Sequence, residues 1–202
     1  MTEVLAVDAR APDPAALARA AAVLRDGGLV AFPTETFYGL GAAALDAAAV
    51  RRVFAVKGRP EAKPLLVLVD TPDRVAELVA EIPPRARALM ARHWPGPLTL
   101  VMRARPELPE ALTAGTGTIG VRLSPHPVAR GLAAALGGPV TAPSANPSGA
   151  APPTTAAEVL AYFPDALPLV LDGGPTPGGP ASTVVDVTVD PPRILRAGPV
   201  AV

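Results

Sequence analysis

Apolar positions along this chain fall into two spacings. Steps of three and four residues mark helices: Leu17, Ala20, Ala21 and Leu24 form one stripe, and Val50, Val53 and Phe54 form another. Asp13-Pro14 opens the first helix as N-cap and first-turn proline, and Gly27-Gly28 closes it; Asp46 caps the second and Gly58 ends it. Short apolar runs mark strands at Leu29 to Phe32, Leu65 to Val69, Leu98 to Ala104, Thr118 to Leu123, Val140 to Ala142, Leu167 to Leu171, Thr183 to Val187 and Ile194 to Arg196. Further helices are expected from Thr71-Pro72 to about Ala80, from Pro83-Pro84 to just before WPGP, and from Val128 to Leu136. Another follows Thr155, whose spacing to Glu158 is that of a capping box, and ends near Phe163. The stretches PTETFYGLG, 105–117, PSANPSG and GGPTPGGPAS read as turns and loops.

Strands and helices mix without strict alternation, and no repeat of roughly twenty to fifty residues is present. The expectation is a single α/β domain over residues 1–202, with a twisted, mixed sheet flanked by helices and Pro/Gly loops at its rim. Half the residues are apolar but only 3% are aromatic, so the core has to be Ala, Val and Leu. Twenty-seven prolines and a single asparagine suit a thermophile or a GC-rich genome.

A formal net charge of zero argues against a surface dominated by nucleic-acid or membrane attraction, while leaving room for a local cationic groove. With no cysteine, disulfides, thiolate metal sites and a cysteine nucleophile are excluded. The start MTEVLAVDAR has no basic segment followed by an apolar one, and no apolar run reaches membrane-spanning length, so a cytoplasmic protein without a membrane partner is expected.

Several familiar chemistries fail on context. Gly115, Gly117 and Gly120 spell G-x-G-x-x-G, but a polar loop precedes them and a strand follows, the reverse of a dinucleotide site. No phosphate-loop motif occurs, and Ser144 is not in a G-x-S-x-G elbow. The two histidines, His93 and His126, are isolated, which leaves no dedicated metal site.

What remains is a set of cations and hydroxyls at strand and helix ends. Both lysines, Lys57 and Lys63, lie within seven residues of each other in a chain with sixteen arginines. Arg59 sits between them, Arg122 and Arg196 lie on strands, and Thr34, Thr36, Thr118, Ser144 and Ser182 lie at turns or strand ends. Asn146 follows Ser144 by two. If these meet at one rim of the sheet they form a cleft suited to a polyanion such as a triphosphate. Each also has a plainer reading. A strand arginine is commonly solvated, Thr34 and Thr36 can satisfy a turn, Ser182 can cap a strand, Asn146 can fill a left-handed turn, and Trp94 can pack. The residues alone reach an anion-binding α/β domain.

The ordered blocks FPTETFYGLG, KGRPEAKPL, WPGPLT, GVRLSPHP, APSANPSG, STVVD and LRAG, spanning about residues 10 to 200, resemble the YrdC/TsaC family of threonylcarbamoyl-AMP synthases. The resemblance implies a twisted α/β sheet with a positively charged cavity, in the short single-domain form. It implies a nucleotidyltransferase making threonylcarbamoyl-AMP and pyrophosphate from L-threonine, bicarbonate and ATP. Magnesium would come with ATP, with no tightly bound cofactor. A downstream transfer complex would place the product on tRNA, with at most a weak tRNA contact here. By motif position, the resemblance gives Lys57, Arg59, Ser144 and Asn146 catalytic roles. Arg59, Lys63, Thr118, Ser144 and Arg196 would hold ATP, and Thr36, Arg122 and Ser182 would hold threonine. Three positions depart from the family pattern: Lys63 stands where asparagine is frequent, Leu68 where some relatives have a histidine, and Pro152 where some have a serine. Two alternatives are a non-catalytic module binding tRNA or double-stranded RNA, and a carbamoyl-adenylate module of the kind found in hydrogenase-maturation proteins.

Overall fold

The computed structural model describes residues 1–60 and 64–202. In chain order the elements are β1 (Glu3–Ala6), α1 (Pro14–Arg25), β2 (Val30–Pro33), β3 (Tyr38–Gly41), α2 (Ala47–Lys57), β4 (Leu66–Leu68), α3 (Val75–Leu78), α4 (Pro84–His93) and β5 (Leu98–Arg103). They continue with α5 (Glu110–Thr113), β6 (Thr118–Arg122), α6 (Pro127–Leu136), β7 (Val140–Thr141), α7 (Ala156–Tyr162), β8 (Leu169–Asp172), β9 (Thr183–Asp186) and β10 (Arg193–Arg196).

Helix boundaries follow the cap chemistry. The Asp13 carboxylate accepts from the Ala15 amide at 2.9 Å, and that of Asp46 from Ala48 and Ala49 at 2.8 and 3.2 Å. Gly58 closes α2 in the left-handed region at φ 56°, where a side chain would be strained. Thr155 and Glu158 complete both halves of the capping box of α7.

The strands form two mixed sheets, in the orders β1-β8-β2-β3 and β10-β9-β5-β6-β4-β7. The segment after α6 joins them. Thr141 pairs with Val67 of β4 on one side, while its amide donates to Ala42 O at 3.0 Å on the other. Further along, Leu40 donates to Pro143 O and Ala145 to Tyr38 O, both at 2.8 Å. This seam fixes the position of Ser144 relative to both sheets.

Two cores hold the layers. One lies between the sheets and includes Tyr38, Leu40, Phe54, Val67, Leu100, Val121 and Val170. The other lies between the four-stranded sheet and helices α1 and α6, and includes Leu24, Phe32, Leu132 and Leu169. β2 is buried at every position because it contributes to both cores, which is why it reads as an unbroken apolar run. α1 and α6 approach closely at Gly131, where a Cβ would come within 2.6 Å of Leu17 Cδ1. Replacing Leu132 with Ala is expected to cost about 2–5 kcal/mol through the cavity it leaves.

The expected strands and helices are present, with boundaries shifted by one or two residues, and the α/β class with mixed sheets and flanking helices holds. Five details differ. The sheet is divided in two. β1 was not expected; it is too short and half-exposed to show a run, and it exists because it pairs in parallel with β8. Residues 38–41, expected within a turn, are β3: two glycines hide the strand pattern, and pairing with β2 overrides their low propensity. The loop expected at 105–117 contains the one-turn α5, and the helix expected from Thr71 begins as a 3-10 turn at Pro72–Arg74 before α3.

Candidate functional site

A cavity of about 410 Å³ opens over one face of the six-stranded sheet, where Thr99 and Val101 of β5, Gly120 of β6 and Val184 of β9 line it, and not at the sheet's rim as expected; the β2–β3 turn and the end of α2 complete its wall. Lys57, Arg59, Ser144, Thr118, Arg196, Thr36, Arg122 and Ser182 all line it. Four of these are cations, and among the described residues none of the lining side chains is a carboxylate. Two expectations stand apart. Lys63 lies outside the described residues. Asn146 does not line the cavity but is buried behind it.

Lys57 is carried into the site by the last turn of α2, which Gly58 stops. Its ammonium donates to the carbonyl oxygens of Ser144 and of Asn146, the latter at 2.6 Å, and the Lys57 carbonyl accepts from the Ser148 amide at 2.7 Å. The sole asparagine therefore shapes the lysine's socket with its main chain. Its own side-chain amide closes the turn by donating to Pro147 O and Ala150 O at 2.9 and 2.8 Å. Burial, helped by the nearby Arg59 charge, lowers the Lys57 pKa to about 8. Arg59 donates to Pro64 O at 3.1 Å, and burial lowers its pKa too.

The second group comes from strands. Arg196, at the end of β10, donates from Nε to Ser182 O and from Nη2 to Ser182 Oγ, both at 2.9 Å. Ser182 Oγ also lies 3.0 Å from Thr99 Oγ1, a buried hydroxyl on β5. Arg122 ends β6 almost fully buried, 3.4 Å from the Glu35 carboxylate. Burial lowers its pKa, Glu35 opposes that shift and Arg196 adds to it. Thr34 serves the turn: its hydroxyl donates to Phe37 O at 2.7 Å and accepts from the Thr36 amide at 3.2 Å. The Thr36 hydroxyl lies 3.2 Å from that of Thr34. Thr118 Oγ1 lies 2.9 Å from Thr116 Oγ1.

Of the departing positions, Leu68 is buried in the core beneath α1 and α6, away from the cavity, whereas Pro152 lines it. Trp94 packs against the inter-sheet core and donates to Leu98 O at 2.7 Å. Sequence reasoning missed Glu35, Ser124 and Thr99. A lone hydroxyl inside the apolar run LTLVM needs a buried partner, and that signal was available for Thr99. Among the described residues no group of three or more His, Cys, Asp or Glu is placed to hold a metal ion.

The Sua5/YciO/YrdC family, described as telomere recombination, matches residues 22–198, and the chain belongs to that family. It is 46% identical to a threonylcarbamoyl-AMP synthase of Pyrococcus abyssi over 89% of this chain and 53% of the relative. It is 43% identical to one of Bacillus subtilis over 90% of this chain and 53% of the relative. The crystal structure of Pyrococcus abyssi Sua5 complexed with L-threonine superposes with a TM-score of 0.94 at 43% identity, covering 98% of this chain and 58% of that one. The chain thus spans about half the length of these relatives. Among the described residues no helix is long and apolar enough to cross a membrane.

Proposed function

We propose that this chain makes L-threonylcarbamoyladenylate and pyrophosphate from L-threonine, bicarbonate and ATP, for tRNA threonylcarbamoyladenosine modification in the cytoplasm. The observation that carries the reading is a cavity lined by four cations and several hydroxyls with no lining carboxylate among the described residues. Such a wall suits the phosphates of ATP beside an amino-acid carboxylate. The synthase names of the relatives and the L-threonine complex of Sua5 support the same reading.

Lys57, Arg59 and Ser144 act around the phosphates, with Asn146 holding Lys57 through its main-chain carbonyl. Thr118, Arg196 and Lys63 complete the ATP contacts. Thr36, Arg122 and Ser182 receive threonine, the Arg122 guanidinium taking its carboxylate. The threonine ammonium gives up a proton to solvent, and the free amine and bicarbonate form a carbamate with loss of water. A carbamate oxygen then bonds to the α-phosphorus as the bond to pyrophosphate breaks. The attacking group is already an anion, so no general base is needed, and the cations offset charge gathering on phosphate.

Magnesium would come with ATP, held mainly by phosphates and water, and would offset phosphate charge there. Residues 1–202 act as one YrdC-like domain, whose product passes to a separate tRNA threonylcarbamoyl-transfer complex, with any tRNA contact here weak.

The test is pyrophosphate release with ATP, threonine and bicarbonate, omitting each in turn. Release that needs all three is the expected result. Release with carbamoyl phosphate replacing threonine and bicarbonate would move the chain to carbamoyl-adenylate chemistry, and salt-sensitive RNA binding without turnover would make it an RNA-binding module.

A further inference from the structure

Glu35 lies between two cavity-lining threonines yet does not line the cavity itself. It has three neighbours of consequence. Ser124 donates its hydroxyl proton to one Glu35 oxygen, while Ser124 Oγ accepts from the His126 amide at 3.1 Å. His126 in turn caps α6, its Nδ1 accepting from the Val128 amide at 3.2 Å. The other Glu35 oxygen faces Arg122 Nη1 at 3.4 Å. A chain of contacts therefore runs from the start of α6 through Ser124 and Glu35 to the guanidinium at the cavity wall.

The pair is held by charge and not by a fork of hydrogen bonds. Glu35 Oε1 and Arg122 Nε are both buried without a hydrogen-bond partner among the described residues. A guanidinium gripped bidentately by a protein carboxylate has less of its planar fork left for a ligand. Here the carboxylate faces one amino group at long range, and the Nε edge keeps its donor. Apolar residues of similar volume would often stabilise such a buried position equally well or better, so stability alone gives little reason for the pair.

We infer that Glu35 is a positioning residue for the amino-acid subsite: anchored by Ser124, it fixes the Arg122 guanidinium so that its remaining N–H groups face the carboxylate of threonine. This rests on the functional reading above, since it takes threonine to be the ligand of Arg122.

Calorimetric titration of L-threonine and, separately, ATP into wild type, Glu35→Gln and Ser124→Ala tests it. Glu35→Gln keeps the shape and removes the charge. It should weaken L-threonine on the order of tenfold to a hundredfold, as expected for breaking a buried charge pair, while ATP affinity changes less than about twofold. Ser124→Ala removes a single hydrogen bond and should weaken L-threonine by about two- to tenfold with the same selectivity. Unchanged L-threonine affinity in Glu35→Gln, or equal weakening of both ligands, overturns the inference. If Glu35→Gln does not fold, Ser124→Ala decides by the same split. Wild type that binds ATP but no L-threonine would instead bring down the functional reading, and this inference with it.

Discussion

The two groups of cations in the cavity are supported in different ways. Lys57 donates to the main-chain carbonyls of Ser144 and Asn146, and Arg59 to that of Pro64. Arg122 is supported by the Glu35 carboxylate, and Arg196 by both the carbonyl and the hydroxyl of Ser182. A carbonyl orients a cation without cancelling its charge; a carboxylate orients it and cancels much of its field. Lys57 therefore keeps its positive potential, at the cost of holding its proton less firmly. The strand group gives up potential at Arg122 for a fixed orientation. The first arrangement suits a polyanion with charge to spread, and that of Arg122 suits one planar carboxylate in one pose.

The largest effect should come from Lys57. Lys57→Ala removes a charge and leaves the Ser144 and Asn146 carbonyls without their donor, and turnover should fall on the order of a hundredfold to a thousandfold in pyrophosphate release. A loss below about tenfold would show that the group is not central to the chemistry. Next, Arg122→Lys keeps the charge but removes the planar fork. It should raise KM for L-threonine by about tenfold or more while leaving KM for ATP within about twofold. Equal effects on both substrates would dissolve the distinction between the groups.

The gentlest test is pH. With the Lys57 pKa at about 8 in the folded chain, kcat/KM for ATP should be flat below that value and fall roughly tenfold per pH unit above it. Stability should move the other way. The unfolded lysine titrates near 10.5, so between about 8 and 10.5 the unfolded chain binds more protons and this group's contribution to stability rises with pH. Chemical denaturation at pH 7 and pH 9, with Lys57→Met as control, checks the sign.

Much of this was legible in the residues because local chemistry states its purpose locally. Asp13, Asp46, Gly58 and the Thr155–Glu158 pair mark helix ends by caps that need no distant partner, and all four appear as read. β3 and β1 were hidden because each exists through pairing, with β2 and β8, and not through its own composition. Eight of the ten expected site residues converge on one cavity. Motif order could show which residues belong together but not what stands behind them. Glu35 reads as one more acid in a turn until Arg122, 87 positions later, is seen beside it. The Asn146 carbonyl accepts from the Lys57 ammonium, and a sequence does not distinguish such a main-chain contact from a side-chain one.

The pairing of β1 with β8 sets Glu3 opposite Leu169. A ribosome releases the first of these long before the second, so the opening strand must wait, unpaired, for most of the polypeptide to be synthesised. Closing so long a loop late makes assembly slow compared with a protein of local contacts.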